Sequence, residues 1–132
     1  MHPSLLPKYR GPAPLHHTLL NGDDRAGVCV MELSKGRFDE GKILLREERA
    51  VAETDRFLDL HHELADKGSA MVMEALSDFE RYRANAKAQS EFPEAPCKAP
   101  KVKRDLGLLD PQALSAREVR HKGGRGGEGS TA

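Results

Sequence analysis

The chain has 132 residues, 38% of them hydrophobic and 32% charged, with no tryptophan; this suffices for one modest domain with a real core and leaves part of the chain unpacked. Lysine plus arginine and aspartate plus glutamate both number 21, so net charge exerts no general pull toward nucleic acid or membrane, and no apolar run approaches membrane-spanning length. The two cysteines, Cys29 in an apolar run and Cys97 in a proline-rich one, predict reduced thiols rather than a disulfide framework.

Residues 3–14 hold Pro3, Pro7, Pro12 and Pro14, with Gly11 among them. Proline fixes φ and removes a donor, which excludes helix and central strand. Leu5, Leu6, Tyr9 and Leu15 are too apolar for a linker, so a stiff ordered loop is expected. Residues 14–21 read as a short helix: Pro14 suits its first turn, Leu15, Thr18 and Leu19 share a face, and Asn21-Gly22 closes it. Asp23 to Gly27 is then expected as a turn. Val28 to Leu33 reads as a strand covered on both faces, and Lys42 to Glu48 as the next strand. The glycine-containing turn between them, Ser34 to Gly41, carries Asp39 and makes a hairpin of the pair.

Residues 54–83 hold the clearest helical periodicity, with Thr54 as N-cap, Asp55 in the first turn, and Phe57, Leu60, His61 and Leu64 on one stripe. Gly68 is expected to end this helix and Ser69 to cap a second, whose stripe is Val72, Ala75, Leu76, Phe79 and Tyr82. His61 is expected at the edge of the core. Residues 84–104 turn polar and then proline-punctuated, as in a linker or a strap across the surface. A short helix capped by Ser115 fits residues 106–119, and the glycine-rich, low-complexity tail from His121 is expected to be disordered. The chain thus divides into 1–83, 84–104 and 105–132.

Two tandem histidine pairs, His16-His17 and His61-His62, do not predict a metal site, because adjacent helical residues point about 100° apart and no cysteine stands at ligand spacing. No phosphate-binding glycine loop, dinucleotide fingerprint or nucleophile elbow is present. His2 and Asp39 remain as the candidate catalytic pair. A carboxylate beside an imidazole fixes its tautomer and favours its protonated form, which suits a group that takes and returns protons.

Taken together, His2-Pro-Ser-Leu-Leu-Pro-Lys-Tyr-Arg-Gly-Pro-Ala-Pro, Asn21-Gly-Asp, Gly27-Val28 opening a strand, and Arg37-Phe-Asp-Glu-Gly-Lys-Ile-Leu closely resemble the folate-dependent formyltransferase family. The Leu-Leu-Pro-x-x-Arg-Gly form at Leu5 to Gly11 resembles its methionyl-tRNA formyltransferases, and the Arg-Phe-Asp turn with His17-Thr18 resembles the mitochondrial type. The resemblance implies an α/β fold, the C-terminal half of a Rossmann-like formyltransferase domain, with two amphipathic helices and a glycine-rich tail. It implies 10-formyltetrahydrofolate as formyl donor and initiator methionyl-tRNA as acceptor. It further implies a monomer, no membrane or metal partner and, in a eukaryote, a mitochondrial matrix location, although the N-terminus carries no transit-peptide pattern.

Carried over, His2 assists proton removal from the attacking amine and stabilises the tetrahedral intermediate; Asp39 orients it and relays protons to the leaving folate nitrogen. Ser4, Leu5, Leu6, Pro7, Arg10 and Gly11 shape the folate and acceptor cleft. The family's asparagine, two residues before the histidine, has no counterpart ahead of Met1. The expectation is therefore an internal fragment with little activity as an isolated chain. Two other readings accompany this one: a formyltetrahydrofolate dehydrogenase- or hydrolase-type relative, and a non-catalytic fragment that binds a partner.

Overall fold

The computed structural model describes residues 1–103; the expected 106–119 helix and glycine-rich tail lie outside them. Strand β1 (Arg25–Met31) and strand β2 (Ile43–Ala50) form an antiparallel ribbon whose register pairs Val28 with Glu47 and Val30 with Leu45. A bulge between Val30 and Met31 resets the pairing so that Met31 faces Ile43. The hairpin stands as expected, but β1 starts within the stretch read as a turn, since Ala26 is already needed in the core, and it ends at Met31, which leaves Leu33 exposed on the connection rather than covered on a strand.

The apolar run of β1 is explained by its two faces. Ala26, Val28 and Val30 point toward a core closed by Leu15 and Leu19 of helix α1 (Pro14–Leu20) and by Leu60, Leu64, Met71 and Ala75 of helix α2 (Phe57–Ser77). Cys29 points the other way, packing with Leu6 and Ile43 beneath the N-terminal loop. Alternation along a strand thus buries both sets of side chains.

Helix α2 corrects the sequence reading in two places. It runs unbroken through Gly68 and Ser69, where a break was expected. A Cβ at Gly68 would stand 3.0 Å from Val28 Cγ2 and 2.3 Å from Met1 Sδ, so this glycine lets the helix approach the sheet. The Ser69 hydroxyl donates to the Ala65 carbonyl at 2.8 Å instead of capping a new helix. Continuity also sets the face: Leu60, Leu64, Gly68, Met71 and Ala75 are buried, while Leu76 is 63% exposed. The N-terminus likewise shifts, because Asp55 accepts from the Ala52 N–H and pairs with Arg49, and Asp59 accepts from the Arg56 N–H at 2.9 Å.

His61 is exposed rather than at a core edge, stacked on Phe57 with ring centroids 5.6 Å apart. The chain breaks at Asp78 and continues as helix α3 (Phe79–Ala84). Residues after it form an ordered strap. A 3-10 turn (Gln89–Glu91) leads to an extended run that exchanges main-chain bonds with Arg10, Cys97 O accepting at 2.9 Å and Ala99 N donating at 2.7 Å. Helices therefore cover one face of the ribbon, and the N-terminal loop and strap cover the other. Among the described residues no helix is long and apolar enough to cross a membrane.

Candidate active site

His2 lies along the edge of β1 opposite β2. Its N–H donates to the Cys29 carbonyl at 2.8 Å and its carbonyl accepts from the Cys29 N–H at 2.9 Å. The prolines that follow make the loop turn back, so the chain passes over the imidazole, and His2 is only 6% exposed. Its Nε2 is 2.9 Å from the Tyr9 carbonyl oxygen, and its Nδ1 is 3.5 Å from Asp39 Oδ1. A carbonyl only accepts, so the Nε2 contact is a hydrogen bond in the ring forms that carry a proton there. A carboxylate likewise only accepts; in the neutral Nε2-protonated form the Nδ1 lone pair faces it, and a proton arriving at Nδ1 completes an ion pair. A proton acceptor with its counter-charge in place is the chemical capacity of this arrangement.

Asp39 reaches His2 because the β1–β2 turn folds it inward at φ 58°. Its Oδ2 accepts from the Gly11 N–H at 2.9 Å, and its main-chain carbonyl accepts from Gln89 Nε2 at 2.7 Å. Tyr9, at φ 63°, is the other non-glycine residue with positive φ among the described residues. Such a conformation costs an L-residue about 1–2 kcal/mol and persists where surrounding bonds fix it. Both strained residues thus present an acceptor to the same imidazole.

The remaining residues expected at the cleft divide by role. Ser4 is buried and donates from Oγ to the Lys8 carbonyl at 2.7 Å, tightening the loop. Leu5, Leu6 and Pro7 are buried, with Leu6 in the Cys29 core and Leu5 so close to β1 that a Cβ at Gly27 would stand 2.2 Å from its Cδ2. Arg10 is held by the strap: its Nε and Nη2 donate to Gln89 Oε1 at 3.0 and 2.6 Å, and Nη1 lies 3.7 Å from Glu40 Oε1. Gly11 combines φ 116° with a strap contact, since a Cβ there would meet the Ala99 carbonyl oxygen at 2.9 Å. His2, Asp39 and Gly11 therefore meet directly, while Ser4, Leu5, Leu6 and Pro7 build the loop and Arg10 ties it to the strap.

Two residues that sequence reasoning did not single out belong to the same assembly. Gln89 bonds both Arg10 and the Asp39 turn, and nothing in its polar surroundings marks it in the sequence. Tyr9 contributes its carbonyl; its phenol donates to Asp23 Oδ2 at 2.6 Å and accepts from Asn21 Nδ2 at 2.8 Å. Burial, then the Asp23 carboxylate, holds that phenol well above its ordinary pKa. Beside Asp39 the turn exposes Phe38 and Leu33 almost fully, at 93% and 95%. Among the described residues no group of three or more His, Cys, Asp or Glu side chains could hold a metal ion.

Residues 1–76 match the family model described as formyl transferase. The methionyl-tRNA formyltransferase of Ehrlichia ruminantium (strain Gardel) is 41% identical over 80 residues, covering 61% of this chain and 26% of its own length. That of Sulfurihydrogenibium sp. is 33% identical over 119 residues, covering 90% of this chain and 37% of its own. The chain thus spans between about a quarter and somewhat over a third of the length of these curated relatives. Among solved structures, HypX from Aquifex aeolicus in complex with tetrahydrofolic acid superposes with a TM-score of 0.69 at 23% identity, over 92% of this chain and 20% of its own. At that identity the likeness is one of fold.

Proposed function

The chain belongs to the formyl transferase family, and from that premise we propose that it supplies the proton-handling pair for formyl transfer from 10-formyltetrahydrofolate to the amino group of methionyl-initiator tRNA. The observation that carries this reading is the His2 imidazole fixed between the Tyr9 carbonyl at Nε2 and the Asp39 carboxylate at Nδ1. The acceptor is supported by the relatives, which are named as methionyl-tRNA formyltransferases, and a folate donor by the tetrahydrofolic acid bound to HypX, which shares the fold.

The residues fit a folate donor in one respect that is local to the pair. Phe38 and Leu33 stand almost fully exposed on the turn that carries Asp39, and a flat heteroaromatic ring packs favourably on such apolar surface. When bound, the donor supplies an activated formyl group. His2 would take at Nδ1 the proton that the attacking amine must lose, Asp39 would balance the charge so created, and the same proton would pass on to the nitrogen from which the formyl group departs. The Gly11 N–H holds the other carboxylate oxygen, so Asp39 need not turn as the proton moves. Gln89, anchored to the turn carbonyls, keeps the carboxylate at its station. A positioned acid–base group of this kind is worth about 10²–10⁴ in rate.

The Arg37-Phe38-Asp39 turn supports the mitochondrial branch of these enzymes, which in a eukaryote would place it in the matrix; a monomer is the working state the family resemblance implies. The test is transfer of labelled formyl to methionyl-tRNA by the protein that carries this chain. Asp39→Asn, which keeps the Gly11 contact but removes the charge, is expected to lower kcat about a hundredfold or more with the fold unchanged by circular dichroism. Undiminished turnover would overturn the assignment of the pair.

A further inference from the structure

The Asn21-Gly22-Asp23 run at the end of α1 lies outside the proposed proton transfer, yet it is bonded to the residue that fixes the His2 ring. Asp23 Oδ2 accepts from the Tyr9 hydroxyl at 2.6 Å and from Lys8 Nζ at 2.8 Å, while Asn21 Nδ2 donates to the same hydroxyl at 2.8 Å. The phenol is therefore saturated, one proton given and one received. Lys8 Nζ also lies 4.8 Å from the Tyr9 ring centroid. The Asp23 N–H in turn donates to the Thr18 carbonyl at 3.1 Å and the Gly22 N–H to Leu19 at 3.1 Å, so the anchor is part of the helix end itself.

These bonds act on a residue that would not hold its conformation unaided. Tyr9 sits at φ 63°, which a side-chain-bearing residue adopts at a cost of about 1–2 kcal/mol. Its carbonyl direction follows from that φ and the ψ beside it. The phenol, at the far end of a rigid side chain with two rotatable bonds, is pinned by Asp23 and Asn21. The main-chain N–H is pinned by Cys97 Sγ at 3.3 Å. With both ends of the residue fixed, the carbonyl is aimed at His2 Nε2.

We propose that Tyr9, locked by Asn21 and Asp23, is a positioning residue that selects the Nε2-protonated form of His2 and so leaves Nδ1 as the proton acceptor facing Asp39. This gives the Asn21-Gly22-Asp23 run a part in the site although none of its side chains reaches the imidazole. The proposal rests on the functional reading only for the claim that His2 is the reacting group; the selection of the ring form is a property of the folded chain.

The experiment is long-range 15N–1H NMR of the histidine-labelled chain at a pH where His2 is neutral, with the His2 resonances assigned by His2→Gln. The wild type is expected to show the Nε2-protonated form alone. Tyr9→Phe keeps the ring and the carbonyl and removes only the hydroxyl; it is expected to convert the single-form pattern of His2 into an averaged one. Asp23→Asn retains a side-chain acceptor for the phenol and is expected to restore most of the wild-type pattern, whereas Asp23→Ala is not. A wild-type pattern in folded Tyr9→Phe would overturn the proposal, as would a mixture of forms in the wild type. Should Tyr9→Phe fail to fold, the contrast between Asp23→Asn and Asp23→Ala decides: an identical His2 pattern in the two overturns the proposal. Because the readout is the ring form, absence of formyl transfer alongside these NMR results would refute the functional reading and leave this inference standing.

Discussion

The side-chain amide of Gln89 donates to the main-chain carbonyl of Asp39 at 2.7 Å and to that of Gly41 at 3.0 Å, while its oxygen accepts twice from Arg10. One buried side chain thus joins the strap, the N-terminal loop and the turn that carries the candidate carboxylate. Gln89→Ala leaves two carbonyls and a guanidinium without this partner. Unsatisfied buried groups cost about 1–3 kcal/mol each before water replaces the lost bonds. A fall in urea stability of that order is expected, whereas an unchanged midpoint would show that the strap does not clamp the turn.

The unbroken course of α2 is testable through its face. Leu60 is fully buried between the helix and the sheet, and Leu76 is 63% exposed. Leu60→Ala should cost about 2–5 kcal/mol, the usual loss for a core leucine, and Leu76→Ala within about 0.5 kcal/mol of nothing. Equal effects in denaturant titrations would mean that the helix breaks near Gly68 and turns a different face to the sheet.

Turn geometry separates two glycines that look alike in the sequence. A Cβ at Gly41 would stand 1.7 Å from the Glu32 carbonyl oxygen, whereas one at Gly36 would meet nothing within 4 Å but would sit at φ 77°. Gly36→Ala is therefore expected to cost about 1–2 kcal/mol through backbone strain alone. Gly41→Ala forces main chain apart, and overpacking adds about 1–3 kcal/mol or more, with loss of the Asp39 position as well. Thermal melts showing Gly41→Ala to be the milder change would refute the close approach of the two strands.

The buried thiol gives a pH dependence with a definite sign. Burial pushes the Cys29 thiol up from its ordinary 9.0 to about 11, despite the nearby Arg46 charge. The folded chain therefore favours the neutral thiol relative to the unfolded one. The corresponding stability is fully present below about pH 9 and is lost as pH rises toward about 11. Two pKa units correspond to about 3 kcal/mol. Cys29→Ala should flatten this alkaline decline, measured as urea midpoint against pH; a decline of the same steepness would assign it to other groups. Cys97 is exposed and should react with a thiol reagent in the native state, Cys29 only after unfolding.

By itself the sequence determined the hairpin, the short helix at Pro14 and the stiff loop. Each follows from local rules: proline removes donors, alternating and continuous apolar runs bury strands, and glycines permit the turn between them. A histidine and an aspartate in two loops carry little local signal of contact; their pairing was legible through the resemblance of the whole stretch to the formyltransferases. Tertiary structure decided the rest. Gly68 and Ser69 carry the local signals of a helix break, and only the approach of α2 to Val28 turns the glycine into a packing feature and frees Ser69 to bond Ala65. Gln89 gains its role from a strap that returns across the loop, 50 positions from the Asp39 it bonds. The form of the His2 ring is likewise fixed by the Tyr9 carbonyl, whose direction depends on bonds to the end of a helix. Local propensity sets which segments are helix, strand or turn; the aim of a hydrogen bond between them is set by the packing of segments remote in sequence.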